Sequence, residues 1–159
     1  MKTHRLHAVA SALLLAVAVA AAPLACTGAE KTKDASRPSV AKVATPATGK
    51  TYDVKMYGNA DGYRFEPKDL TIAVGDNVTF VAVDGGPHNV AFDPAGIPAD
   101  AKEQLSANMP SQVSELTSPY LMNEGETYTV SFAGVKPGTY AFHCTPHLAM
   151  NMVGTVTVH

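Results

Sequence analysis

The chain has 159 residues, six histidines, two cysteines and no tryptophan, with a formal charge of −2. That length suffices for one domain with a real core and excludes two comfortable ones. Residues 50–159 carry six Lys/Arg against twelve Asp/Glu, whereas residues 1–49 carry six against two; an acidic domain argues against nucleic-acid binding and favours basic partners.

Lys2, His4, Arg5 and His7 precede an apolar run over residues 8–22 that only Ser11 interrupts. A positive start followed by such a run reads as an export signal, too short and Ala-rich for a permanent span. Next comes Pro23-Leu24-Ala25-Cys26-Thr27-Gly28, which resembles a bacterial lipobox, although Pro23 stands where an aliphatic residue is usual. The resemblance implies a lipid on Cys26 and a protein tethered to a membrane, in the periplasm or on the outer cell surface. An ordinary cut in the Ala-rich stretch, or just after Cys26, is the alternative. A disulfide between Cys26 and Cys144 would tie a candidate metal loop to a loose N-terminus, and is disfavoured.

Residues 27–49 lack large apolar side chains and are dominated by Lys, Ser, Thr, Ala and Pro. A disordered tether is expected there, leaving residues 50–159 as the folded domain. From Tyr52 onward the pattern is short strands and turns. Residues 70–74 end at Gly75-Asp76, and residues 78–83 follow at once, as adjacent strands would. Residues 88–92 form another extended run. Over residues 126–132, Tyr128, Val130 and Phe132 alternate with Thr127, Thr129 and Ser131. Residues 140–144 and 152–158 complete the set, and residues 99–107 read as a short helix with Asp100 as N-cap and Glu103 in its first turn. Seven or eight strands over this length imply an all-β, two-sheet antiparallel sandwich or Greek-key barrel.

Strand parity ties this fold to a site. Tyr140, Phe142 and Cys144 share one face; aromatic rings belong inside, so the thiol points inward and His143 outward. Met152, Gly154, Val156 and Val158 likewise share one parity. Cys144, His147 and either Met150 or Met152 meet only if the short loop between these strands folds back tightly. A second imidazole comes from His88 in Gly85-Gly86-Pro87-His88-Asn89-Val90. A thiolate, a thioether and two imidazoles suit copper cycling between two oxidation states. Zinc prefers four firm ligands and is poorly served by a thioether. Met56, Met109 and Met122 are read as packing residues, and Asp93, Asp100, Glu103 and Glu115 as a solvated face.

Cys144-Thr145-Pro146-His147 with residues 152–158, preceded by Pro87-His88-Asn89-Val90-Ala91-Phe92-Asp93 and by Phe65-Glu66-Pro67, resembles the plastocyanin and pseudoazurin group of cupredoxins. The resemblance implies a cupredoxin-like Greek-key sandwich holding one copper ion. It makes His88, Cys144 and His147 the equatorial ligands. Loops of this group place the axial Met five residues after the His, which selects Met152, as parity does; amicyanin-like spacing would select Met150. Asn89 corresponds to a residue whose N–H supports the Cys sulfur and whose side chain ties the ligand loops. His143 stands where plastocyanins usually have Tyr, and is read as a surface residue near the electron path.

The expected function is a type 1 copper protein that shuttles single electrons, as a monomer, between redox proteins such as cytochromes or reductases. Electrons are expected to pass the exposed edge of His147, framed by Pro87, Pro146, Leu148 and Ala149, in weak and brief encounters. The alternative is a copper chaperone or buffer, for which a more exposed, Met-rich site is expected. A small enzyme is disfavoured because no second copper motif accompanies the first.

Overall fold

A computed structural model describes residues 43–159. The expected export signal, Cys26 and most of the expected tether lie outside the described residues. The tether's last residues, 43–49, are bonded to the domain: Gln104 donates to the Val43 carbonyl, Asn108 accepts from the Thr45 N–H, and Thr48 and Gly49 donate to the Gly75 carbonyl.

Among the described residues, eight strands form two four-stranded sheets. They are β1 (Thr51–Asn59), β2 (Gly62–Glu66), β3 (Asp69–Ile72), β4 (Asn77–Ala82), β5 (Ala91–Phe92), β6 (Thr127–Ser131), β7 (Gly138–His143) and β8 (Val153–Val158). One sheet runs β2-β1-β4-β6 and the other β3-β8-β7-β5. Among the described residues a single α-helix, α1 (Ala99–Ala107), forms, over the expected positions. Its N-cap is Pro98, two residues before the expected Asp100. Asp100 instead accepts from the Ala101 N–H and pairs with Lys136, so its carboxyl is held below the usual range chiefly by that lysine.

The two-sheet sandwich stands, but three expectations about its wiring change. The sheets are mixed: β1 pairs β4 in parallel and β3 pairs β8 in parallel. The turn at Gly75-Asp76 closes no hairpin, since it carries the chain from one sheet to the other. Buried Asp76 fixes that crossing by accepting from Lys50 N–H with one oxygen and Ala73 N–H with the other. The run 88–92 is also mostly loop; only Ala91 and Phe92 join the ladder, opposite His143 and Phe142.

Alternation places the core. On β6, Tyr128 and Val130 are buried while Thr127 and Thr129 face out, and on β4 Val78, Phe80 and Ala82 are buried. Phe142 sits between the sheets, edge-on to Phe65 at 4.8 Å and to Phe80 at 5.2 Å between ring centroids. Such pairs add about 0.5–1.5 kcal/mol each beyond area burial. Gly154 makes room for that ring, because a Cβ there would lie 2.5 Å from Phe142 Cζ and 2.5 Å from the Lys68 carbonyl oxygen. Phe142 thereby fixes the end of β7 two residues before Cys144. The β1–β2, β4–β5 and β7–β8 connections all emerge at that end.

Candidate metal centre

Parity delivers the sulfurs as expected. Tyr140, Phe142 and Cys144 are buried, as are Met152, Val156 and Val158. Between β7 and β8 a short 3₁₀ segment, Thr145–Met150, starts with Pro146 in its first turn and kinks at His147 (φ −115°, ψ 15°). Asn151 then takes a left-handed conformation (φ 60°, ψ 33°), one that Asn tolerates better than most residues. The loop closes on itself: Cys144 N–H donates to the Met152 carbonyl at 3.0 Å, and Met152 N–H to the His147 carbonyl at 3.3 Å.

His88 arrives on the β4–β5 loop, fully buried, and exchanges both backbone hydrogen bonds with Leu121 at 3.0 and 2.7 Å. Ser118 supports the next turn by accepting from Val90 N–H. No motif marked Leu121 or Ser118, because backbone pairing leaves little trace in side-chain type.

His88, Cys144 and His147 form a group whose ligand atoms all lie within 4.8 Å of one another. Cys144 Sγ lies 3.7 Å from His88 Nδ1 and 3.4 Å from His147 Nδ1. Metal bonds of about 2.3 Å to sulfur and about 2.0 Å to nitrogen, set roughly 120° apart, put those atoms about 3.7 Å from each other. The donor spacing therefore fits one trigonally held ion. His88 Nε2 lies 2.6 Å from the Asp84 carbonyl oxygen. That oxygen only accepts, so Nε2 carries the proton and Nδ1 keeps its lone pair for a metal. Met152 is 0 % exposed whereas Met150 is 50 % exposed, so the buried thioether is the one that plastocyanin-like spacing and parity select. His143 is not in the group; it lies at the end of β7, opposite Ala91 and Val153.

Asn89 does what the family resemblance implied. Its N–H points at Cys144 Sγ from 3.5 Å, its Oδ1 accepts from Thr145 N–H at 2.7 Å, and its Nδ2 donates to Thr145 Oγ1 at 3.2 Å. Burial pushes the Cys144 thiol up, against the Asn89 and His147 N–H groups, which favour its thiolate. Burial, and then the neighbouring His88, push the His147 imidazole down. A bound cation would offset both effects, since it favours the thiolate and takes the place of the imidazole proton.

Two readings of the surface change. His147 is only 6 % exposed, so its open edge is small. The reason is Tyr63, whose ring stacks on the imidazole with 3.8 Å between centroids and 21° between planes. Tyr63 shares a strand face with buried Phe65, and that parity was its one available signal. Met122 is 62 % exposed and does not pack in the core, whereas Met56 and Met109 do. Of the acidic residues, Glu115 pairs with Lys102 at 3.1 Å and Asp93 accepts from Ala95 N–H.

A buried His-Cys-His group with a buried Met in the same loop, at the end of an eight-stranded sandwich, defines a cupredoxin. Residues 52–159 match the model of copper binding proteins of the plastocyanin/azurin family, and the chain belongs to that family. Plastocyanin from Nostoc punctiforme is 41 % identical over 118 residues, covering 73 % of this chain and 80 % of the relative. The chloroplastic plastocyanin of Physcomitrium patens is 38 % identical over 112 residues, spanning 70 % of this chain but only 60 % of the relative. The structure of oxidized plastocyanin from Dryopteris crassirhizoma superposes with a TM-score of 0.54 at 33 % identity, covering 68 % of this chain and all of that one. The protein is a plastocyanin-like copper carrier of single electrons.

Proposed function

We propose that His88, Cys144 and His147, with the buried thioether of Met152, would hold one copper ion, and that the protein passes electrons between redox proteins outside the cytoplasm. The observation that carries this reading is the spacing of the three buried donors, 3.7 and 3.4 Å from the sulfur to the two Nδ1 atoms. When bound, copper supplies the one-electron chemistry. The chain excludes water with Tyr63 and the Phe142 layer, holds the His88 tautomer through Asp84, and steadies the sulfur with the Asn89 N–H.

Four ligands leave no open position for a substrate, which supports a carrier over an enzyme. The chaperone alternative calls for a site from which metal leaves readily; here His88, Cys144 and Met152 are each 0 % exposed. Partners meet the site end, where Pro87, Pro146, Leu148 and Ala149 are exposed around the His147 edge. Contacts there are weak and transient, and the acidic domain favours basic partners.

Among the described residues no helix is long and apolar enough to cross a membrane. Membrane attachment in this reading rests on a lipid at Cys26, for which mass spectrometry of the mature N-terminus is the check. The functional test mixes the reduced copper protein with an oxidised cytochrome and, separately, with a copper-free acceptor protein. We expect electron transfer with the copper retained. Copper passing to the acceptor, with no electron transfer to the cytochrome, would replace the carrier with the chaperone.

A further inference from the structure

The two imidazoles of the metal centre are held in different ways. His88 is pinned at its far nitrogen by the Asp84 carbonyl at 2.6 Å. His147 has no counterpart of that bond among the described residues. What it has is the face of Tyr63, near-parallel at 3.8 Å, the same ring standing edge-on to His88 at 6.3 Å.

Tyr63 does not reach that position by chance of rotamer. It pairs with Gly58 across β1 and β2. A Cβ at Gly58 would fall 2.4 Å from Tyr63 Cε1 and 2.7 Å from Cδ1, so the ring lies directly on the Gly58 backbone. Gly58 is itself anchored, because its N–H donates to Asp84 Oδ1 at 2.7 Å. Asp84 thus holds Gly58 with its carboxylate and His88 with its carbonyl. One short stretch of β1 therefore sets the position of both rings, His88 through Asp84 and His147 through Tyr63.

We propose that Tyr63, seated on Gly58, is a positioning residue that holds the His147 ring plane fixed for electron transfer. This rests on the copper-carrier reading for its consequence, though the clamp itself is a property of the chain. A carrier exchanges electrons quickly only if its ligands move little between oxidation states, since any rearrangement adds to the barrier. A stacked ring resists rotation of its partner without adding a charge or a proton to the site.

The test has two arms. In copper-free protein, NMR should show contacts between the Tyr63 and His147 rings and one sharp set of His147 ring signals. Tyr63→Ala should broaden or multiply those signals. Tyr63→Leu, which keeps an apolar side chain on Gly58 but offers no ring face, should do the same. Gly58→Ala would not isolate the ring, because its Cβ would also lie 2.9 Å from the Gly85 carbonyl oxygen in the His88 loop. In copper-loaded protein, electron self-exchange between oxidised and reduced molecules should slow several-fold, up to about tenfold, in Tyr63→Ala. Tyr63→Phe keeps the ring and should restore both readouts. Unchanged His147 signals and unchanged self-exchange in Tyr63→Ala would overturn the proposal. So would a Tyr63→Phe variant as impaired as Tyr63→Ala, since the hydroxyl would then be the acting group. If Tyr63→Ala does not fold, Tyr63→Leu decides in its place. Failure to bind copper at all would sink the carrier reading, while the NMR arm would still decide the clamp.

Discussion

Asn89 and Cys144 are bound from two directions. The Asn89 N–H reaches the sulfur at 3.5 Å, while the Asn89 side chain grips Thr145, the residue after the cysteine, through bonds of 2.7 and 3.2 Å. The first contact belongs to the backbone and survives any substitution except proline; the second does not. Asn89→Ala should therefore remove two part-buried hydrogen bonds to Thr145, at a cost of about 1–2 kcal/mol. Denaturant unfolding of the copper-free protein measures this directly. A loss below about 0.5 kcal/mol would mean that the loops hold together without the side-chain tie.

Met152 and Met150 differ by two positions in sequence and completely in burial, at 0 % against 50 % exposed. Met152→Leu should change the reduction potential and the visible spectrum, because the axial ligand and the polarity around the sulfur set both. Met150→Leu should leave both near wild type. The reverse pattern in a redox titration would move the axial role to Met150.

The copper-free protein should lose stability toward acid. Folding depresses the His147 pKa below its usual 6.5, first by burial and then by His88. The folded state thus resists a proton that the unfolded chain accepts. The stabilisation is complete above about pH 6.5 and is lost as pH falls through the folded value, with a slope of up to about 1.4 kcal/mol per pH unit for one proton. Denaturation at a series of pH values, with and without copper, checks the sign. Copper should flatten the curve near neutrality, since the ligands then hold a metal and not a proton. Stability of the copper-free form that rises on acidification would contradict this.

Much of this site was legible because its chemistry is carried by rare residue types on strands of known parity. Tyr140, Phe142 and Cys144 had to share a face, and Met152 had to share one with Val156 and Val158; the structure buries all six. The wiring of the sandwich was less legible. Gly75-Asp76 suits a hairpin turn as well as a crossing between sheets, and the choice depends on Asp76 receiving N–H groups from Lys50 and Ala73. Tyr63 was missed for a related reason: its strand face was readable, but its partner on the β7–β8 loop was not. Met122 shows the limit of composition, because an apolar residue in a loop carries no mark of which way it points.

Everything in this reading depends on Cys144 Sγ, 3.7 and 3.4 Å from two imidazole nitrogens, binding copper. The most direct measurement is the visible absorption spectrum of copper-loaded wild type beside Cys144→Ser, with copper content determined on both. We expect one copper per wild-type chain and an intense band from sulfur-to-copper charge transfer, with the band lost in Cys144→Ser. A wild-type protein without that band, or a Cys144→Ser variant that keeps it, would contradict the account.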